Sequence, residues 1–152
     1  MNFAAFERAQ LVSFAYTEAR ETGSLDCMKA VCYVLRNRVK AGWGDGTCLS
    51  VIQGAPLVSA HLEISAEERV PIASGDRLLQ LLLRDVDDIY LGGGGHGVDD
   101  DTARVVQGES KVGALYYCFI GRDVSVWFME HIVRDTKNHA RIGQVGTMQL
   151  FE

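Results

Sequence analysis

The chain has 152 residues, a length that fits one domain able to bury a core without disulfides or metals. Hydrophobic residues make up 47% and charged residues 23%, which excludes a disordered chain. A mean hydropathy of +0.02 and short apolar runs exclude a membrane span. Because the net charge is −5, no broad basic surface is available for nucleic acid. We therefore expect a single domain over residues 1–152.

The first half of the chain is predicted to be helical. Asn2 is a candidate N-cap for a helix that runs to about Arg20. A second helix is expected from about Leu25 to Ala41, with Gly42 placed to cap its C-terminus. This second helix is apolar nearly all round, which is typical of a buried helix.

The middle of the chain alternates turns and helix. Thr47 begins a short turn, and residues 54–75 are predicted to be a loop containing one candidate short helix with a Ser65–Glu68 capping box. Asp76 is expected to cap a helix that runs through about Tyr90, and the glycine run at 92–95 ends it.

The C-terminal third changes from helical to strand periodicity. A short helix is expected over Asp101–Gln107, followed by a strand at Ala114–Ile120. Two more strands are predicted at Arg141–Val145 and Thr147–Phe151, with Gly146 in the turn between them. The predicted fold class is α+β, mainly helical, with a small antiparallel sheet at the C-terminal end.

The cysteine and histidine spacings do not indicate a metal site. Cys27, Cys32, Cys48 and Cys118 lack zinc-ligand spacing, and the four histidines are scattered, so we expect neither a metal nor another cofactor. At least one of the first two cysteines is expected to pack as a small hydrophobic residue. The N-terminus does not resemble a signal peptide, so we expect synthesis in the cytoplasm and reduced thiols.

Acidic residues cluster at two places in the sequence. Asp85, Asp87 and Asp88 form one cluster, and residues 99–101 form the other. Two solvated acidic surfaces are the favoured interpretation, and a weak cation site is the alternative.

Glu18 is the first candidate for chemistry, because it lies on the apolar face of the first helix. That face is defined by the i, i+3, i+4 and i+7 positions, which are Leu11, Phe14, Ala15 and Glu18. A carboxylate among apolar neighbours is costly to ionise, and a carboxyl group that holds its proton suits general acid catalysis. The alternative is a structural ion pair of Glu18 with Arg20, Arg36 or Arg38.

Two motifs support the catalytic interpretation. The sequences Glu18–Arg20 and Asn37–Val39 resemble the "EAR" helix end and the "NR-(V/I)" helix of the cell-wall hydrolase family that includes the spore cortex-lytic enzymes. Further agreement, in the same order along the chain, lies at Trp43, Thr47–Cys48, Val51–Ile52, Gly108, Gly113–Tyr117, Trp127 and Ile142–Gly143.

This resemblance implies a lysozyme-like domain that acts on peptidoglycan glycan strands, as a lytic transglycosylase or a muramidase. Glu18 would serve first as acid and then as base, while the N-acetylmuramyl 6-hydroxyl attacks and leaves a 1,6-anhydro end. One carboxylate suffices because the substrate supplies the nucleophile, unlike the usual pair of carboxylates. Because the N-terminus does not resemble a signal peptide, we expect such an enzyme to reach the wall by other means, such as a phage lysis system or a contact-dependent secretion apparatus.

Four residues are candidates for substrate binding. Asn37 is the first, although a structural hydrogen bond to loop backbone is its alternative role. Tyr116 and Tyr117 alternate across their strand, so one is expected to face inward and the other to line a cleft. Trp127, like Trp43, could stack on a sugar ring or pack in the core.

Departures from the family pattern favour a second hypothesis. The glycine after "EAR" is displaced to Gly23, Val58–Ser59 stands at the expected "FS" segment, and residues 143–151 lack the histidine of the "IG-x-H-x-F" ending. A catalytically inactive wall-binding or regulatory module of the same fold is therefore the main alternative. An unrelated small cytoplasmic domain that works through a partner is the third.

Overall fold

A computed structural model describes residues 5–61, 75–91 and 100–152. Within these ranges the α-helices are α1 Ala5–Ala19, α2 Leu25–Lys40, α3 Cys48–Gly54, α4 Arg77–Leu91, α5 Asp100–Gln107 and α6 Val126–Phe128, and the strands are β1 Tyr116–Phe119, β2 Arg141–Val145 and β3 Met148–Phe151. A π-helical turn, Met129–Val133, continues α6. The predicted α+β class, mainly helical with a small C-terminal antiparallel sheet, is confirmed.

The helix boundaries follow the capping residues. The Ser24 hydroxyl accepts a hydrogen bond from the Cys27 N–H at the start of α2, and Asp76 accepts from Leu78 and Leu79 at the start of α4. Gly42 has a φ of +90° just after α2, a conformation in which glycine avoids a side-chain clash. The predicted caps at Asp76 and Gly42 are confirmed, whereas Asn2, the Ser65–Glu68 helix and the glycine run at 92–95 lie outside the described residues.

Helices α1, α2 and α4 pack against one another around a common core, with α2 buried along most of its length. The fully buried residues of α2 include Met28, Val31 and Leu35. Burial of each such side chain contributes about 1.5–3 kcal/mol relative to exposure. All four cysteines are free and buried, and burial raises the pKa of the Cys118 thiol to about 11.

The sheet has the strand order β1-β3-β2, and both pairings are antiparallel. Tyr116 lies opposite Phe151 and Phe119 opposite Met148 in the β1–β3 pair. One face of β1 packs on the main core through Tyr117 and Phe119. The other face contributes to a smaller apolar cluster that contains Cys118, Phe128, Ile132 and Phe151. Strand β1 therefore links the helical core to the C-terminal part of the chain.

Asp85 corrects the prediction of a solvated acidic surface. Its side chain is fully buried, with Oδ2 3.4 Å from Lys29 Nζ and Oδ1 2.8 Å from Arg84 Nε. Position 85 shares the inner face of α4 with Leu82 and Val86, so the carboxylate meets the buried Lys29 of α2 instead of water.

The other acidic residues behave differently from Asp85. Asp87 is half-exposed and pairs with Arg8, and Asp101 is exposed and pairs with Arg104. No group of metal-ligating side chains occurs among the described residues. Within the same ranges, no helix combines the length and apolar character needed to cross a membrane.

Candidate functional site

Glu18 lies in the last turn of α1 and is only 5% exposed. Leu11, Phe14 and Ala15 are buried as expected, but every residue from Leu11 to Ala19 is buried, so this half of α1 is enclosed on all sides and not along one face. The enclosure of this half of α1 thus holds a carboxyl group inside the protein, where it requires polar partners.

Tyr117 supplies one of these partners from β1. Its hydroxyl donates a 2.6 Å hydrogen bond to Oε1 of Glu18. Burial raises the pKa of Tyr117 well above its ordinary value of 10, and the negative charge of Glu18 raises it further. The phenol therefore keeps its proton and remains a donor to the carboxyl group. Tyr117 is the inward-facing member of the tyrosine pair.

Arg38 places a buried cation near the same carboxyl group. Its Nε donates a 2.7 Å hydrogen bond to the Leu115 carbonyl, and its guanidinium lies 5.0 Å from the centroid of the Trp43 ring. Burial lowers the pKa of Arg38, while the electrostatic influence of Tyr117, Tyr116 and Glu18 opposes this. Of the three arginines considered as partners of Glu18, Arg38 therefore acts on it through its charge.

Arg122 approaches Glu18 from the turn that follows β1. Its Nη1 donates a 3.1 Å hydrogen bond to the backbone carbonyl of Glu18, and its guanidinium lies 5.2 Å from the Phe119 ring centroid. Carbonyl groups in the last turn of a helix lack intrahelical donors, and a cation also complements the negative end of the helix dipole. Arg122 thereby fixes the end of α1 against the end of β1.

Asn37 is engaged with backbone at the start of the β1 segment. Its Nδ2 donates a 3.1 Å hydrogen bond to the Ala114 carbonyl, and the side chain is buried. A Cβ at Gly113, which has a φ of +79°, would lie 2.5 Å from that nitrogen. These contacts favour the structural role of Asn37 over direct contact with substrate.

Tyr116 and Trp127 lie away from the Glu18 side of β1. Tyr116 packs edge-on against Trp43 and His139, with ring centroids 5.6 and 5.2 Å away. Trp127 is 41% exposed on α6, and its ring stacks on His131 at a centroid distance of 5.5 Å. The structure thus joins Glu18 with Tyr117 but places these two aromatic residues in other surroundings.

Arg122 and His61 are site-forming residues that the sequence analysis missed. His61 is buried beside β1, with Nδ1 2.8 Å from the Asp123 carbonyl and Nε2 accepting a 3.0 Å hydrogen bond from the Phe119 N–H. Neither residue belongs to a periodic pattern or motif, because each lies in an irregular segment. The sequence signal for Arg122 was its position two residues after the predicted strand Ala114–Ile120, and His61 had none.

A surface groove of about 500 Å³ lies elsewhere, where the end of α5 meets β2. Its lining consists of Gly108, Glu109, Ser110, Arg141, Ile142 and Glu152. Gly108 and Ile142 belong to the motif agreements, but the lining contains none of the candidate catalytic or substrate-binding residues, so the groove is separate from the Glu18 site.

The Glu18 site is assembled from the last turn of α1, the last turn of α2, and β1 with the turn that follows it. Burial favours the protonated form of such a carboxyl group, while a phenol donor and nearby cations favour the ionised form. The arrangement can therefore exchange a proton or serve as a buried structural network. A comparison of the chain with protein-family models, curated proteins and solved structures gave no match.

Proposed function

We propose that this protein cleaves the glycan strands of peptidoglycan, as a lytic transglycosylase or a muramidase, with Glu18 as the catalytic acid. The observation that carries the proposal is the buried Glu18 carboxyl group at the end of α1, held by the Tyr117 hydroxyl. It coincides with the Glu18–Arg20 motif, which resembles that of the cell-wall hydrolases. Buried carboxyl groups with specific polar partners are frequent among catalytic residues.

In the proposed transglycosylase reaction, Glu18 donates its proton to the glycosidic oxygen as the C1–O bond breaks. The 6-hydroxyl of the N-acetylmuramyl residue bonds to C1, and its proton returns to Glu18. The product is a 1,6-anhydro end, and the carboxyl group is regenerated. Tyr117 orients the carboxyl group through Oε1. General acid–base catalysis of this kind contributes about 10²–10⁴-fold to the rate.

Trp127 is the proposed sugar-stacking residue, because a large part of its ring is exposed. Tyr116 is a second candidate, although its ring already packs against aromatic neighbours. Asn37 supports the site indirectly on this proposal, by fixing the backbone that leads into β1.

The test is mass spectrometry of the soluble products released from purified sacculi. Wild type is compared with Glu18→Gln, which keeps the size of the side chain, and with Glu21→Gln, which alters an exposed glutamate three residues away. We expect anhydromuramyl products from wild type and Glu21→Gln, and a loss of at least about a hundredfold in Glu18→Gln. Reducing-end products would indicate the muramidase form, and full activity of Glu18→Gln would exclude the assignment of Glu18.

The deep burial of Glu18 favours one second candidate, a wall-binding or regulatory module without catalysis. A carboxyl group that is 5% exposed has little surface with which to meet a substrate. Sedimentation with insoluble peptidoglycan separates the two proposals. Binding by wild type without release of soluble fragments would support the module, whereas fragment release would exclude it.

A further inference from the structure

His61 connects the segment after α3 with the end of β1. His61 is 7% exposed, and its ring stacks on the Phe119 ring with the centroids 5.7 Å apart and an angle of 29° between the ring planes. Nδ1 lies 2.8 Å from the Asp123 carbonyl, and the Phe119 N–H donates to Nε2 at 3.0 Å. A backbone hydrogen bond of 2.7 Å from Ser125 to the Ala60 carbonyl joins the same two segments.

These contacts allow one protonation state of the imidazole. Because Nε2 accepts from the Phe119 N–H, it carries no proton, and Nδ1–H is then the donor to the Asp123 carbonyl. If Nε2 were protonated, its N–H would point at the Phe119 N–H across 3.0 Å, and the hydrogen bond between them would be lost. The geometry is therefore compatible only with neutral His61.

The segment that His61 holds also carries two partners of Glu18. Tyr117 precedes Phe119 by two residues and donates to the Glu18 carboxyl group, and Arg122 follows it by three and donates to the Glu18 carbonyl. A displacement of the end of β1 would therefore disturb the hydrogen bonds that Tyr117 and Arg122 donate to Glu18.

We propose that neutral His61 is a positioning residue that holds the end of β1 and the following turn against α1, so that the Glu18 site is assembled at neutral pH and loosened by acid. The assembly depends only on the contacts described, whereas its consequence for catalysis rests on the proposed function.

The surroundings of the ring determine the direction of the pH dependence. Burial lowers the pKa of His61 below its ordinary value, the hydrogen bond to the Asp123 carbonyl opposes this, and the positive charge of Arg122 lowers the pKa further. Tyr117 and Cys118 directly precede Phe119 in β1. Burial raises the pKa of both side chains, so they stay neutral between pH 5 and 7.5. The stabilisation by neutral His61 is thus complete above about pH 6.5 and declines as the pH falls below that value.

The experiment uses NMR of the full chain and needs no activity. Ring ¹⁵N shifts of wild type at pH 7.5 should identify the Nδ1–H tautomer of His61. The protection of the Phe119 amide from hydrogen exchange, corrected for the intrinsic pH effect, should fall between pH 7.5 and 5. We expect about a tenfold loss for each pH unit by which the His61 pKa lies below 6.5.

Two variants separate titration from packing. His61→Gln offers a carbonyl acceptor that does not titrate, so its Phe119 protection should be independent of pH, and His131→Gln should behave as wild type. An Nε2–H tautomer in wild type, constant Phe119 protection across the pH range, or an unchanged pH response in His61→Gln would each overturn the proposal. The His61 tautomer and the Phe119 protection are measured without substrate. They therefore test the proposal even if the protein does not cleave glycan strands.

Discussion

The hydroxyl of Tyr117 donates a 2.6 Å hydrogen bond to Oε1 of Glu18 across 99 positions of sequence. Both side chains are buried, so neither group can exchange its partner for water without opening the structure. Removal of a donor from a buried polar atom costs about 1–3 kcal/mol, because water cannot replace the lost hydrogen bond. This pair therefore ties the last turn of α1 to β1 while it orients the candidate catalytic group.

Replacement of Tyr117 by phenylalanine tests this link. We expect Tyr117→Phe to lower the free energy of unfolding by about 2 kcal/mol, because the Glu18 carboxyl group loses a buried donor while the ring volume is retained. Urea denaturation measures the change. Tyr116→Phe is the matched control, since it removes the hydroxyl of the adjacent, half-buried tyrosine on the other face of the strand. Equal losses in the two variants would contradict a specific role for the Glu18–Tyr117 bond.

The sequence predicted that Glu18 lies among apolar residues but not which residue contacts its carboxyl group. Helical periodicity placed Glu18 with Leu11 and Ala15, and strand alternation indicated that one residue of the Tyr116–Tyr117 pair points inward. Each pattern describes one element by itself. The contact between Glu18 and Tyr117 depends on how α1 packs against β1, and no pattern within either element encodes that packing.

Asp85 illustrates how a local cluster can mislead. Its neighbours Asp87 and Asp88 suggested a solvated surface, yet the helical period of α4 places position 85 beside Leu82 on the inner face. Helix α6 and its π-helical turn were not predicted at all, because residues 121–140 show no sustained hydrophobic period. Short elements of this kind are stabilised mainly by tertiary contacts.

The close approach at Gly113 gives a second prediction. Gly113→Ala should lower the free energy of unfolding by more than about 2 kcal/mol, because alanine is strained at positive φ and its Cβ would meet the Asn37 amide. Gly121→Ala is the control, since Gly121 has a φ of +89° and open space around the added Cβ. Thermal unfolding of both variants separates backbone strain from the clash. A smaller loss in Gly113→Ala than in Gly121→Ala would show that the Asn37 contact yields easily.

The buried ion pair gives a third prediction. Asp85→Asn should lower the free energy of unfolding by about 3–5 kcal/mol, because the buried Lys29 ammonium loses the counter-charge 3.4 Å away. Chemical denaturation at neutral pH provides the measurement. Asp101→Asn, which alters an exposed pair with Arg104, should change stability by less than about 1 kcal/mol.

A double replacement refines this test. Lys29→Met combined with Asp85→Leu removes both charges and should recover much of the loss, because apolar groups of similar size can replace a buried ion pair. If Asp85→Asn lowers the free energy of unfolding no more than Asp101→Asn does, the Lys29–Asp85 ion pair does not stabilise the protein as predicted.

Asp76 gives the fourth prediction, which concerns acid. A hydrogen bond from Tyr16 is the main cause that lowers the pKa of Asp76, and the N–H groups of Leu79 and Leu78 at the start of α4 add to it. Because the folded protein binds this proton less readily than the unfolded chain, the stabilisation by Asp76 is complete above about pH 4 and is lost as the pH falls through the lowered pKa. The difference in melting temperature between wild type and Asp76→Ala should therefore be large at pH 6 and shrink below pH 4. Tyr16→Phe should reduce that pH dependence without removing the cap, and a difference that stays constant down to pH 2.5 would contradict a role for the Asp76 charge.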